Sequence, residues 1–135
     1  MLWDDSRGAG FTAGEPWLPL SSDRERLNVA AQERDATSML SLYRRLLALR
    51  RAEPALSIGA YVPRRATEHV LVFERSHDGR RLLVALNFSP EPQRLDGIPD
   101  QSRILLSTSR EEPARPSGGI VLRPDQGVII EVLAA

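Results

Sequence analysis

The 135-residue sequence contains no cysteine and no lysine. The first absence excludes disulfides and thiolate chemistry, and leaves redox arguments silent on compartment. The second makes all 18 basic residues arginine, set against 18 acidic residues for a formal net charge of zero. An arginine-only complement suits phosphate recognition in principle. Here, however, the two signs are interspersed and no basic cluster or stacking motif accompanies them, so the charge reads as solvated surface and no nucleic-acid partner is expected. No stretch approaches the ~20 consecutive apolar residues of a membrane span, and the first residues lack the basic and apolar regions of a secretory signal. A soluble, cytoplasmic chain without a membrane partner is the expectation.

The usual catalytic signatures are missing too. There is no G-x-S-x-G elbow, no H-E-x-x-H pair and no phosphate-binding glycine loop, so neither a metal site nor a cofactor is expected. His69 and His77 are the only imidazoles. They flank a strand and its turn, where no serine or carboxylate pattern offers a partner, and they read as solvated.

What is present has the texture of a folded protein: 41% hydrophobic and 27% charged residues, close to globular averages. The length suits one domain and is small against the roughly 250 residues of an α/β barrel. From Met1 to about Arg34, glycines 8, 10 and 14 and prolines 16 and 19 break any periodicity, while Trp3, Phe11 and Trp17 are spaced through the segment. Such a long irregular stretch predicts a functional loop resting on a larger scaffold, and its aromatics argue against a linker.

The next segment, DATSMLSLYRRLLALRRAEP, places Met39, Leu42, Tyr43, Leu46 and Leu49 at helical spacing, with Leu47 widening the stripe. Asp35 or Thr37 can cap its start, Arg50 and Arg51 suit its end, and Pro54 stops it. From Leu56 the period changes to two. GAYVP, HVLVFERS, RRLLVALNFS, PQRLD, SRILLSTS, GIVLRP and GVIIEVLA are short aliphatic runs separated by turn chemistry. Asp78-Gly79 supplies the positive φ angles of a tight hairpin, pairing the second run with the third. Asp96-Gly97, Gly118-Gly119 and Asp125-Gln126-Gly127 mark further turns. The predicted fold is therefore mainly β: one long N-terminal loop and one α-helix over residues 1–55, then an antiparallel β-sandwich of about seven strands, Greek-key in type, over 56–135.

Adjacent acids Asp4-Asp5 and Glu111-Glu112 invite comparison with the paired carboxylates of glycosidic hydrolysis. Neighbours on a chain point apart, however, and catalysis needs the pair held rigidly with one pKa raised. Surface charge is the better reading.

Taken together, MLWDDSRGAGFTAGEPWLPL, NVAAQ, SMLSLYRRLLALRRAEPAL with GAY after it, and LVALNFS resemble the last third of an α-glucosidase or oligosaccharide-cleaving enzyme of the α-amylase family. The resemblance runs through nearly the whole chain in order, and Trp3-Asp4, Ala9-Gly10-Phe11, Pro16-Trp17-Leu18-Pro19, Asn28-Val29 and Gln32 are jointly specific. It implies that Met1 corresponds to an internal position of such an enzyme. Tyr43-Arg44-Arg45-Leu46 and Leu49-Arg50-Arg51 would then belong to the final barrel helix, followed by the small all-β domain that closes these enzymes.

The same resemblance implies that the nucleophilic aspartate, the acid/base glutamate and the second aspartate lie on earlier barrel strands, so that no catalytic residue is expected in this chain. A catalytic barrel, of the same or a related polypeptide, is the implied partner. The loop would lie near the outer substrate cleft, with Trp3, Asp4, Asp5 and Phe11 closest to an α-glucosidic oligosaccharide. From Leu56 onward the aromatics are only Tyr61, Phe73 and Phe88. Phe73 and Phe88 sit among aliphatic neighbours as core residues do, so the β-domain is expected to be a structural cap, the alternative being a free-standing protein-interaction or carbohydrate-binding β-sandwich module.

Overall fold

A computed structural model of the chain describes residues 1–111, 113–115 and 118–133. The chain divides into two compact units, Met1–Ala48 and Leu49–Ala135. The first unit holds the N-terminal loop, the short helix α1 (Val29–Arg34) and the start of α2 (Met39–Ala52). Asn28, 2% exposed, nucleates α1: its Oδ1 accepts the Ala31 N–H at 2.8 Å, and its Nδ2 donates to the carbonyls of Arg24 and Glu25. Two more orphan N–H groups of that helix find the loop, Val29 donating to the Leu2 carbonyl and Ala30 to that of Trp3.

The long helix starts where its apolar period does, but with a different cap. Asp35 Oδ1 is taken up locally by the Thr37 N–H and hydroxyl. Ser38 caps instead, its Oγ accepting the Ser41 N–H at 3.1 Å while donating to the Gln32 carbonyl at 2.6 Å. Gln32 Oε1 accepts the N–H of Leu40. Along α2, Leu42, Leu46 and Leu49 are half-buried, whereas Met39, Tyr43 and Leu47 are exposed. Pro54 ends α2 and opens a third helix, α3 (Pro54–Ser57), in whose first turn a missing N–H costs nothing.

The second unit carries seven strands where the sequence expects them: β1 (Ala60–Ala66), β2 (Val70–His77), β3 (Arg80–Asn87), β4 (Gln93–Asp96), β5 (Arg103–Ser107), β6 (Gly119–Leu122) and β7 (Gly127–Glu131). All pairings are antiparallel. Five strands form one sheet in the order β1-β2-β3-β7-β5, and β4 pairs with β6 in a second. Asp78 (φ 45°) and Gly79 (φ 77°) close the β2–β3 hairpin as their residue types require.

Alternation along the strands decides the core. Val70, Val72, Leu83, Ala85, Val128 and Ile130 from the large sheet join Leu95, Ile120 and Leu122 from the small one in a single buried cluster. The opposite face of the large sheet also buries Leu82, Leu106 and Ile129. The same alternation corrects one expectation. Phe88 is 62% exposed, because Asn87 before it and Ser89 after it take the inward positions. Asn87 Nδ2 donates to the carbonyls of Glu91 and Arg123, both at 2.8 Å, and its Oδ1 accepts from Ser89. The LNFS turn is thus a buried amide hub with its aromatic turned outward. Phe73 is half-buried, its ring centroid 5.1 Å from that of Tyr61.

Candidate functional site

The N-terminal loop folds through its own polar side chains. Asp4 Oδ1 accepts both the N–H (3.0 Å) and the hydroxyl (2.6 Å) of Ser6, and the Ser6 Oγ accepts the Gly10 N–H. The Trp3 N–H donates to the Ala9 carbonyl, closing the turn. Gly10 has φ 70°, and a Cβ there would fall 2.7 Å from Asp4 Oδ2 and 2.9 Å from Trp3 Cβ. Only glycine fits that approach, which explains why Ala9-Gly10 accompanies Trp3-Asp4.

The Ser6 hydroxyl and then its backbone N–H hold the Asp4 carboxyl below its ordinary value. The side chain is an ionised acceptor that organises the turn through Oδ1, with no donor to Oδ2 among the described residues. Asp5 is exposed. Trp3 and Phe11 are each 51% exposed and Trp17 is 91% exposed. Phe11 and Trp17 line an open depression of about 340 Å³ with Met1, Leu2, Leu18 and Pro19. Trp3, Asp4 and Asp5 do not line it, so the predicted four separate into the Asp4 turn and the Phe11 depression. Trp17 belongs to the second group, and its position between two prolines was the available signal.

Glu53, Glu74 and Glu131 are held by arginines. Glu53, between α2 and α3, accepts Arg80 Nε and Nη2 at 2.5 and 2.6 Å. Arg80 Nη1 reaches Glu131 on β7 at 2.5 Å, and Arg103 Nη2 lies 2.8 Å from the same carboxylate. Hydrogen bonding from Arg80 pulls the Glu53 carboxyl down. Glu74 on β2 is 5% exposed. It accepts Arg81 at 2.9 and 3.0 Å and Arg64 at 2.6 Å, which draws its pKa from 4.5 to about 2 against the opposing cost of burial. Sequence reading missed both clusters. An acid at an inward or sheet-centre position facing an Arg-Arg pair on the next strand was the signal.

None of the shifted carboxyls among the described residues moves upward, so none has the raised pKa of a glycosidic general acid. Glu111 pairs with Arg123, while its neighbour Glu112 lies outside the described residues. His69 is exposed, and His77 Nε2 sits 3.3 Å from Asp78 Oδ2. Among the described residues no group of acids and imidazoles is arranged to hold a metal ion, and no helix is long and apolar enough to cross a membrane.

The family described as "Alpha amylase, catalytic domain" matches residues 1–59, and "Domain of unknown function (DUF3459)" matches residues 58–129. The chain is 30% identical to the oligo-1,6-glucosidase of Parageobacillus thermoglucosidasius, over 98% of this chain and 24% of that protein. It is 35% identical to the human amino acid transporter heavy chain SLC3A1, over 97% of this chain and 21% of that protein. The crystal structure of the trehalulose synthase MutB from Pseudomonas mesoacidophila MX-45 superposes with a TM-score of 0.85 at 36% identity, covering 98% of this chain and 24% of the synthase. The chain spans about a quarter of the length of the relatives it matches.

Proposed function

The chain belongs to the α-amylase family, with its β-domain in the family described as DUF3459, and from that premise we propose that it is the closing part of an α-glucosidase-like glycoside hydrolase of cytoplasmic carbohydrate metabolism. Its first unit completes the catalytic barrel, and its β-domain stabilises that barrel without supplying a catalytic carboxylate. The observation that carries this reading is the collinear match of almost the whole chain to one stretch of an oligo-1,6-glucosidase and of a trehalulose synthase.

The chemistry of the acids supports it. A retaining glycosidase needs two carboxyls about 5 Å apart on a rigid support, one of them protonated at working pH. Glu53 and Glu74 are fixed as anions by arginine, and Asp4 by its own turn. In the assembled enzyme Trp3 offers a ring face for a sugar and Asp4 Oδ2 an acceptor for a hydroxyl.

A relative named as a transporter heavy chain shares the likeness, so resemblance alone does not choose the chemistry. The deciding experiment expresses an oligo-1,6-glucosidase truncated before the matching stretch, with and without this chain, and follows cleavage of a chromogenic α-glucoside. The pure chain is expected to show no hydrolysis, and the truncated barrel to recover solubility and activity when this chain is supplied. Hydrolysis by the chain alone, or a barrel indifferent to it, contradicts the reading.

A further inference from the structure

An open groove of about 480 Å³ runs along the β-domain, with Arg64 and Arg65 on one wall and Leu95, Ile98 and Pro99 on another. Two adjacent strand residues ordinarily point to opposite faces. Here the β1–β2 register shifts between Pro63 and Arg65, so that Pro63 pairs with Phe73 and Arg65 with Val72. Such a bulge re-aims side chains, and Arg64 and Arg65 both line the same groove.

The groove carries more positive than negative charge: Arg64, Arg65 and Arg81 against Glu74 and Asp96. Asp96 is already held by Arg94 Nε at 2.6 Å, and Glu74 by Arg64 and Arg81. Arg65 has no carboxylate partner among the described residues, and its Nη1 makes only a 3.4 Å contact to the Arg94 carbonyl. A guanidinium fork without a carboxylate partner is matched to a planar or tetrahedral oxyanion. The walls are aliphatic and lack the aromatic faces on which sugars stack.

We propose that this groove binds a compact organic oxyanion, a carboxylate or phosphomonoester on an apolar body, with its charged head on Arg65 and its body against Leu95, Ile98 and Val72. The groove is lined by residues other than those of the loop assigned to the glycosidase reading, and the proposal does not depend on that reading.

The test titrates the full chain with benzoate, phenyl phosphate and the neutral benzyl alcohol at low ionic strength, following backbone amide NMR shifts. Saturating shifts confined to residues 64–65, 72–74 and 95–98, with Kd on the order of 1 mM, are expected for at least one anion; which anion does so identifies the headgroup. Arg65→Gln, an exposed change whose spectrum otherwise overlays the parent's, should weaken binding about tenfold, and Asp96→Asn should tighten it. Equal binding of benzyl alcohol, an unchanged affinity in R65Q, or the absence of groove shifts overturns the proposal.

Discussion

The two units solve the problem of holding a chain in place by different means. Among the described residues, Met1–Ala48 buries one apolar side chain, Ala9, and exposes Trp3, Phe11, Trp17, Leu18, Met39, Tyr43 and Leu47. Its order comes from caps and side-chain turns at Asp4, Ser6, Asn28 and Ser38. Leu49–Ala135 instead encloses an apolar cluster drawn from both sheets and bolted at its margins by arginine–glutamate pairs. A region with its own core stands alone. A region held by local hydrogen bonds beneath exposed aromatics keeps a surface of the kind that takes a partner, as the function proposed above requires.

That contrast is sharpest at the core. Leu122→Ala, at a position with no exposed surface, should cost about 2–5 kcal/mol by leaving a cavity, read as a fall in the urea midpoint of the β-domain. Arg80→Met comes next, because it strips the bidentate partner from Glu53 and one partner from Glu131. A loss of about 2 kcal/mol is expected, kept below the value for a fully buried pair since Arg80 is partly exposed.

Acid should act on the same unit through Glu74. Its pKa is about 2 folded against 4.5, so the native state binds fewer protons than the unfolded chain between those values. The stabilisation is complete above pH 4.5 and disappears as pH falls through about 2. A Glu74→Gln variant should show a flatter stability profile in that window; an identical profile would dissociate the acid sensitivity from this carboxylate. At the small end, Trp17→Ala and Tyr43→Ala should shift the isolated chain's stability by less than about 0.5 kcal/mol, although both are large apolar side chains. A loss comparable to that of Leu122→Ala would mean the first unit has a core after all.

Five of the seven strands were legible because each is bounded by a residue whose backbone freedom or turn chemistry marks it: Asp78-Gly79, Gly97, Gly118 and Asp125 all adopt positive φ. The helix was legible from its period, but its cap was not. Asp35, Thr37 and Ser38 are all competent, and the choice fell to Ser38 because the Gln32 carbonyl, a tertiary partner, holds its hydroxyl. Phe88 misled because hydrophobicity was read without parity: one residue past β3, the inward place belongs to Asn87. The aromatic content of the candidate loop was plain, yet its division into an Asp4 turn and a Phe11–Trp17 depression depended on the positive φ angles of Ala9 and Gly10, which bring distant residues together.

Amide hydrogen exchange on the 135-residue chain tests the contrast most directly. Amides of β2, β3 and β7 are predicted to exchange only through global opening, and those of residues 1–27 at least about a hundredfold faster, through local opening. Equal protection across both units would contradict the account, because it would show that the first unit needs no partner surface to be stable.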